Sequence, residues 1–246
     1  MGFDAKISVI IPTLNEGKYI AKCIHYINKQ SVKPHEIIII DDDSKDKTRV
    51  IAKLLGCRVI HRRKNEIDHS KNTIATARNL GAEVAEGDYL FFVDADTMLV
   101  DHDWLKKALL LMNKHKIDAI TGKFSCYDCR TALEKLLVFF WFYLSVVVRI
   151  FSGQHLYSMP SCLLIRKDVF NRLEGFPVFE RNEDAALTRL VGRYYKIKLC
   201  FQCKSKTSVR RIRKMGYTSF LMYWLRYFLR RYLFRKIYLP KYDPIR

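Results

Sequence analysis

The segment Tyr89-Leu90-Phe91-Phe92-Val93-Asp94-Ala95-Asp96 constrains this chain more than any other. An unbroken apolar run of this length suits a strand covered on both faces, as in a parallel sheet. It stops abruptly at two carboxylates one residue apart. A carboxylate at the end of a buried strand is costly without a partner. A hard divalent cation carrying phosphate oxygens is one partner that satisfies both acids. A solvated Asp-x-Asp turn is the plainer alternative, so the rest of the chain has to decide.

Periodicity places three more strands around this one. Ile7–Ile11 reads as a first strand, and the helix after it carries Ile20, Cys23, Ile24 and Ile27 on one face. Glu36–Ile40 reads as a second strand, followed by a helix over Lys47–Leu55 with Ser44 or Asp46 as cap. Cys57–His61 is a short third strand, and a helix over about Lys71–Ala85 leads to Gly87 and the apolar run. A further helix, opened by Asp101 or Asp103, buries Trp104, Leu105, Ala108, Leu109 and Met112.

Strands alternating with helices in this way predict βαβ units, hence a mostly parallel sheet covered by helices. In such sheets ligands bind beyond the carboxyl ends of the strands. Three of those ends carry polar clusters: Pro12-Thr13-Leu14-Asn15-Glu16, Asp41-Asp42-Asp43-Ser44 and Asp94-Ala95-Asp96. Surface acids placed at random would not converge on one edge of a sheet.

Beyond residue 115 the alternation becomes irregular. Strands are expected at Ile117–Thr121, Ser161–Ile165 and Lys196–Gln202, a long apolar helix at Thr131–Phe151, and shorter helices at Lys167–Leu173 and Glu183–Arg193. The chain has 246 residues, 49 % of them hydrophobic. That is enough for one large α/β domain with an appendage. We place the domain at 1–215, in halves 1–115 and 116–215, and a basic aromatic helical tail at 216–246. The stretch Leu136–Val148 is short of the ~20 residues that cross a bilayer simply, and suits a core helix or an interfacial segment.

Charge is uneven. The formal net charge is +19, and the segment from Lys204 to Arg246 holds thirteen Lys or Arg against one acid, Asp243. Such a block calls for an anionic partner: a membrane surface, nucleic acid or phosphate-bearing substrate. The N-terminus runs directly into a strand-like segment without the pattern of a signal peptide. Seven scattered cysteines then read as reduced thiols in a cytoplasmic setting. The pairs Cys126/Cys129 and Cys200/Cys203 have zinc-ligand spacing but lack turn glycines, so small apolar residues are the favoured reading over structural zinc.

Neither Gly-x-x-x-x-Gly-Lys-Ser/Thr nor a Gly-x-Gly-x-x-Gly after the first strand is present, which argues against a glycine cradle for nucleotide phosphate. The candidate site is lined with acids instead. A diphosphate can sit among acids only with a metal between them, and Mg²⁺ or Mn²⁺ suits oxygen ligands at an open site.

Taken together, Val9-Ile10-Ile11-Pro12-Thr13-Leu14-Asn15-Glu16, Ile40-Asp41-Asp42-Asp43-Ser44 with Asp46 and Thr48, Ala77-Arg78-Asn79-Leu80-Gly81, and Gly87-Asp88-Tyr89 leading into Asp94-Ala95-Asp96 resemble the family 2 glycosyltransferases, which have the GT-A fold. In the second half Arg166-Lys167-Asp168-Val169-Phe170, Gly175-Phe176 and Glu183-Asp184-Ala185-Ala186-Leu187 match in part. The resemblance implies an inverting, metal-dependent transfer from a UDP- or GDP-sugar. It implies that Pro12, Thr13, Leu14, Glu16, Ile40 and Asp42 hold the nucleoside, that Asp94 meets ribose or metal, and that Asp96 ligates the metal. It makes Glu183-Asp184 the catalytic acid pair, with Asp184 as general base. Capping of a helix N-terminus is the structural alternative for this pair. Arg78 either approaches a phosphate or forms a salt bridge on a solvated helix face. The family's later Gln-x-x-Arg-Trp motif is absent. Arg210-Arg211-Ile212-Arg213-Lys214 stands in that region, where Arg211 could neutralise diphosphate. This departure, and the lack of transmembrane helices, argue against a processive polysaccharide synthase.

Ser219 to Lys236 interleaves aromatics with Arg and Lys, as suits a headgroup layer. We therefore expect a peripheral protein on the cytoplasmic membrane face, with a lipid-linked or glycan acceptor and no nucleic-acid partner. A nucleotidyltransferase of similar fold would need a basic loop where this chain has Asn15-Glu16-Gly17. A basic nucleic-acid-binding protein would suffer repulsion between phosphates and the strand-end acids.

Overall fold

The computed structural model describes residues 5–63, 65, 73–152, 162–179, 182–223 and 226. The chain divides into two compact units, Met1–Thr207 and Ser208–Arg246. Lys71 and Asn72 at the start of the expected third helix, Ser161, and most of the aromatic basic tail lie outside the described residues.

The first unit is built on a seven-stranded sheet, β1 (Ile7–Thr13), β2 (Glu36–Asp41), β3 (Arg58–His61), β4 (Tyr89–Val93), β5 (Ala119–Cys126), β6 (Cys162–Arg166) and β7 (Ile197–Thr207), in the order β3-β2-β1-β4-β6-β5-β7. Strands β3, β2, β1 and β4 are parallel. Strand β6 is antiparallel to both β4 and β5, and β7 pairs parallel with β5. The sequence grows outward from β1 to β3 and then returns to place β4 on the other side of β1. The edge beyond β1 and β4 is therefore the switch point, where connecting loops splay apart and leave a crevice.

The helices are α1 (Ile20–Asn28), α2 (Thr48–Leu54), α3 (Thr73–Glu83), α4 (Trp104–His115), α5 (Ala132–Ser152), α6 (Lys167–Arg172) and α7 (Glu183–Tyr194). Helix α1 buries Ile20, Cys23, Ile24 and Ile27, and α4 buries Trp104, Leu105, Ala108, Leu109 and Met112, as their spacing requires. Asp103 stands at the N-cap position of α4, but its carboxylate accepts a hydrogen bond from Ser31 Oγ instead of capping the helix. Trp104 is fully buried against Phe91, ring centroids 4.7 Å apart. Helix α3 lies unusually close to the sheet: a Cβ on Gly81 would stand 2.4 Å from Ile10 Cγ2, so only glycine fits there. That close approach sets the depth of Arg78, one turn earlier.

The later strands run further than periodicity suggests. β5 reaches Cys126 and β7 reaches Thr207, across a register shift between Gly122 and Lys123 in their ladder. An irregularity of this kind re-phases the side chains and hides the strand from a period-two reading. It also places Cys200 and Cys203 face to face, with the Cys203 N–H donating to Cys200 Sγ at 3.2 Å. Cys126 and Cys129 are joined as a disulfide, Cα atoms 5.9 Å apart, which corrects the expectation of reduced thiols throughout. The remaining five cysteines are buried and form no disulfide. Among the described residues no group of three or more His, Cys, Asp or Glu is arranged to hold a metal ion.

The second unit contributes one short helix, α8 (Arg210–Met215). No helix among the described residues is long and apolar enough to cross a membrane.

Candidate active site

Two loops meet beyond β1 and β2. The Asn15 N–H donates to Ser44 Oγ (2.8 Å), the Glu16 N–H to Thr48 Oγ1 (2.8 Å) and the Gly17 N–H to Asp46 Oδ2 (2.9 Å). In return the Lys45 N–H donates to Asn15 Oδ1 at 2.8 Å. Ser44 and Asp46, expected as caps of α2, are used to tie the loops together; Asp46 also accepts the Thr48 N–H. Asn15 and Asp43 adopt positive φ, 56° and 61°, a conformation that Asn and Asp tolerate better than most residues. Leu14 is exposed, Pro12, Glu16 and Asp42 are half-buried, and Thr13 and Ile40 are buried.

The three consecutive acids after β2 have different partners. Asp41 is fully buried, accepts hydrogen bonds from Thr13 Oγ1 and the Ser44 N–H, and faces Arg49 Nε at 3.4 Å. It is a structural acid. Asp43 pairs with Lys45 and His61. Asp42 receives a two-pronged ion pair from Arg62, with Nε to Oδ1 and Nη2 to Oδ2 both at 2.6 Å. Arg62 is itself held at the start of α3, donating to the Thr73 carbonyl and Thr76 Oγ1. Arg62 carries no sequence signal, since it follows β3 with no motif around it.

Arg78 joins the two halves of the site. It projects from α3, is 5 % exposed, and donates from Nη2 to Asp94 Oδ1 (2.7 Å) and from Nη1 to Glu183 Oε1 (2.8 Å). Its guanidinium also lies over Phe176, 5.2 Å from the ring centroid. Phe176 is clamped in turn by Asn79, whose side chain makes two hydrogen bonds with the Phe176 backbone. Arg78 therefore does form salt bridges, but in a buried setting and not on a solvated helix face. Burial alone would favour loss of the arginine's proton, but Asp94, Glu183 and Asp184 outweigh it and raise the pKa.

Asp184 opens α7 next to Glu183. Glu183 is buried and engaged with Arg78. Asp184 is half-buried, and its Oδ1 accepts the Ala185 N–H at 2.7 Å. Burial, reinforced by the neighbouring Glu183 charge and only partly opposed by Arg78, raises its carboxyl from 3.8 to about 7. No side chain caps α7, whose N-cap residue is Asn182. The pair therefore divides into an ion-pair partner of Arg78 and a carboxyl whose pKa is raised by burial.

Asp94 and Asp96 sit just past β4. The Asp94 side chain is 42 % exposed beyond its contact with Arg78. Asp96 Oδ1 accepts a hydrogen bond from Thr207 Oγ1 at 3.3 Å, so it is anchored by the last residue of β7. The loop after β4 is pinned further by a Met98–Lys206 bridge. Two adjacent carboxylates are too few to cage a cation. They do suit Mg²⁺ or Mn²⁺, which take one or two carboxylates and complete their shells with water and substrate phosphates. Arg211 lies in α8 of the second unit.

The family and its fold follow from comparison with known proteins. The glycosyl transferase family 2 model matches residues 8–174, more than half of the chain, and the protein belongs to that family. Glycosyltransferase GlyG of Streptococcus pneumoniae serotype 4 is 32 % identical over 127 residues, 50 % of this chain and 40 % of that protein. The chain spans less than half the length of the first curated relatives it matches. Among solved structures, glucosyl-3-phosphoglycerate synthase from Mycobacterium tuberculosis, in complex with Mn²⁺, UDP and phosphoglyceric acid, aligns with a TM-score of 0.64 at 20 % identity, covering 88 % of this chain and 75 % of that one. The mannosyltransferase PcManGT from Pyrobaculum calidifontis, in complex with GDP-Man and Mn²⁺, aligns with a TM-score of 0.62 at 19 % identity, covering 84 % and 58 %. At these identities the likeness establishes the GT-A fold.

Proposed function

We propose that this protein transfers a sugar, with inversion, from a UDP- or GDP-sugar to a hydroxyl or phosphate acceptor that is lipid-linked or held near a membrane. The observation that carries the reading is the Asp94–Arg78–Glu183 bridge. It puts the strand-end acids of the first half and the Glu183-Asp184 pair of the second in one connected site.

In this reading residues 1–115 carry the donor site and 116–215 the acceptor side. Pro12, Leu14 and Glu16 line the nucleoside pocket, with Thr13 and Ile40 buried beneath it, and Asp42, oriented by Arg62, holds the nucleoside. Asp94 and Asp96 hold Mg²⁺ or Mn²⁺. When bound, the metal supplies Lewis-acid stabilisation of the departing diphosphate. For a hydroxyl acceptor, Asp184 takes the proton as its oxygen bonds to the anomeric carbon. The bond from that carbon to the diphosphate oxygen breaks on the opposite face, and the nucleoside diphosphate leaves. A carboxyl near 7 is well matched to this task at neutral pH. Glu183 and Arg78 position the base. Arg211 lies on a basic helix whose charge suits the diphosphate. The membrane assignment, on the cytoplasmic face, draws support from the cationic block beyond Lys204.

The experiment is nucleotide-sugar turnover with and without Mn²⁺, in the wild type and in Asp96→Asn. The wild type should show metal-stimulated release of nucleoside diphosphate, and a folded Asp96→Asn should lose it. Metal-stimulated turnover that survives the substitution would refute the site.

A further inference from the structure

We propose that the outward face of α5 is a docking surface for an anionic lipid layer. Helix α5 has 21 residues and is about 32 Å long. Its inward stripe is Glu134, Val138 and Phe142, four residues apart and buried. Phe142 packs edge-on to Phe124 and Phe201, with centroids at 5.3 and 6.1 Å. On the other side, where a helix lying on a globular protein carries polar residues, this one presents Leu133, Leu136, Phe139 and Phe140, which are 48, 62, 59 and 54 % exposed.

Charge identifies the occupant. From Cys129 to Ser152 the only acid is Glu134, against Arg130, Lys135 and Arg149. Glu134 is buried and accepts the Arg130 N–H, so it adds no outward negative charge. Arg130 and Lys135 are exposed beside the apolar row, and Lys123 lies 5.7 Å from the centre of the Tyr143 ring. Asp128 precedes this stretch and is half-buried, but Arg130, Lys135 and Lys123 leave the surroundings of the apolar row net positive, which fits the boundary between headgroups and acyl chains of an anionic layer. A second copy of this chain would bring like charges together across the same face, on a protein of net charge +19.

The direction of the helix agrees. β4 and β5 are each antiparallel to β6, so they run the same way, and α5 departs from the sheet edge that carries the strand-end acids. Cys126 at the end of β5 pairs with Thr207, whose hydroxyl bonds Asp96. A lipid-linked acceptor could then keep its chain in the layer along α5 while its head reaches the acids. This last point rests on the glycosyl-transfer reading; the docking surface does not.

The test uses the full chain and a Leu136→Ser/Phe140→Ser variant. Both positions are exposed, so the fold should survive, as thermal unfolding will verify. Co-sedimentation is measured with vesicles of phosphatidylcholine alone and mixed with phosphatidylglycerol, and nucleotide-sugar turnover is measured in buffer. The wild type should bind the anionic vesicles and prefer them to neutral ones. The variant should bind at least about tenfold more weakly, because two large apolar groups no longer insert. Turnover in buffer should be equal in the two. Equal vesicle binding by both proteins would place the lipid contact elsewhere and overturn the proposal. So would a wild type that ignores anionic vesicles, or that self-associates through this face and becomes monomeric on substitution. Vesicle binding with the expected loss in the variant but no turnover in either protein would uphold the surface and remove the transfer reading.

Discussion

Asp184→Asn separates a catalytic carboxyl from a helix cap by moving activity and stability in opposite directions. The folded protein raises this carboxyl from 3.8 to about 7. A carboxyl whose pKa is raised on folding binds its proton more tightly in the native state. Its ionisation therefore costs stability progressively as pH rises from about 4 to 7, and that cost stays constant above. At about 1.4 kcal/mol per pKa unit the ceiling is about 4 kcal/mol. Asn is neutral at every pH and close in shape, so the variant should escape the cost. We expect it to be more stable than the wild type at pH 8 by at least about 1 kcal/mol, about 2–4 °C in Tm for a chain of this size. The difference should vanish near pH 4. Transfer should fall by about 10²–10⁴, the contribution of a positioned base, while nucleotide binding persists. Thermal unfolding across pH and turnover at saturating donor are the two measurements. A variant less stable than the wild type at pH 8, with activity per folded molecule unchanged, would mean that Asp184 serves the helix N-terminus and that the reasoning is wrong.

Other substitutions probe the surroundings. Arg78→Met fills the space but leaves Glu183 buried without its cation, so denaturant unfolding should show a loss of about 3–5 kcal/mol. Nucleotide-sugar turnover should fall with it, since Asp94 and Glu183 lose their common anchor. Gly81→Ala forces a methyl into Ile10 at 2.4 Å. It should cost about 1–3 kcal/mol by overpacking, and should disturb turnover through the displacement of α3. Phe176→Leu removes the ring beneath the Arg78 guanidinium and should cost about 1–2 kcal/mol by the same assay.

The first half of the chain was legible because its strands are short apolar runs of one kind and its polar clusters fall at regular intervals. β4 begins with the aromatic run at Tyr89 and β2 at Glu36, one residue before its run of Ile, and β1 simply continues through Pro12 to Thr13. The second half was less so. Nothing in the composition of Cys162–Arg166 tells a parallel from an antiparallel strand, and the shift between Gly122 and Lys123 breaks the period that would reveal the full length of β7. In the site, the acids were visible as residue types, but their division of labour was not. Asp41, Asp42 and Asp43 look alike in sequence, yet one is buried in the loop scaffold, one is held by Arg62 and one pairs with Lys45 and His61. Arg78 was visible within a motif, but its depth depends on Gly81 letting α3 settle onto Ile10, a tertiary fact that no local pattern states.

The hydrogen bonds that tie Asn15, Glu16 and Gly17 to Ser44, Thr48 and Asp46 bear on how a ligand is received. A slack loop closing on a nucleotide gives up about 1–2 kcal/mol of backbone entropy for each residue it orders. Here that ordering is completed when the sheet forms, before any ligand arrives. On the proposed reading the mould is set in advance, so a nucleotide should bind there with little rearrangement and its affinity should track the integrity of β1 and β2. Damage to a loop contact far from the ligand then counts twice, once against the fold and once against binding, and a screen for weakened donor affinity would recover lesions that no substrate ever touches.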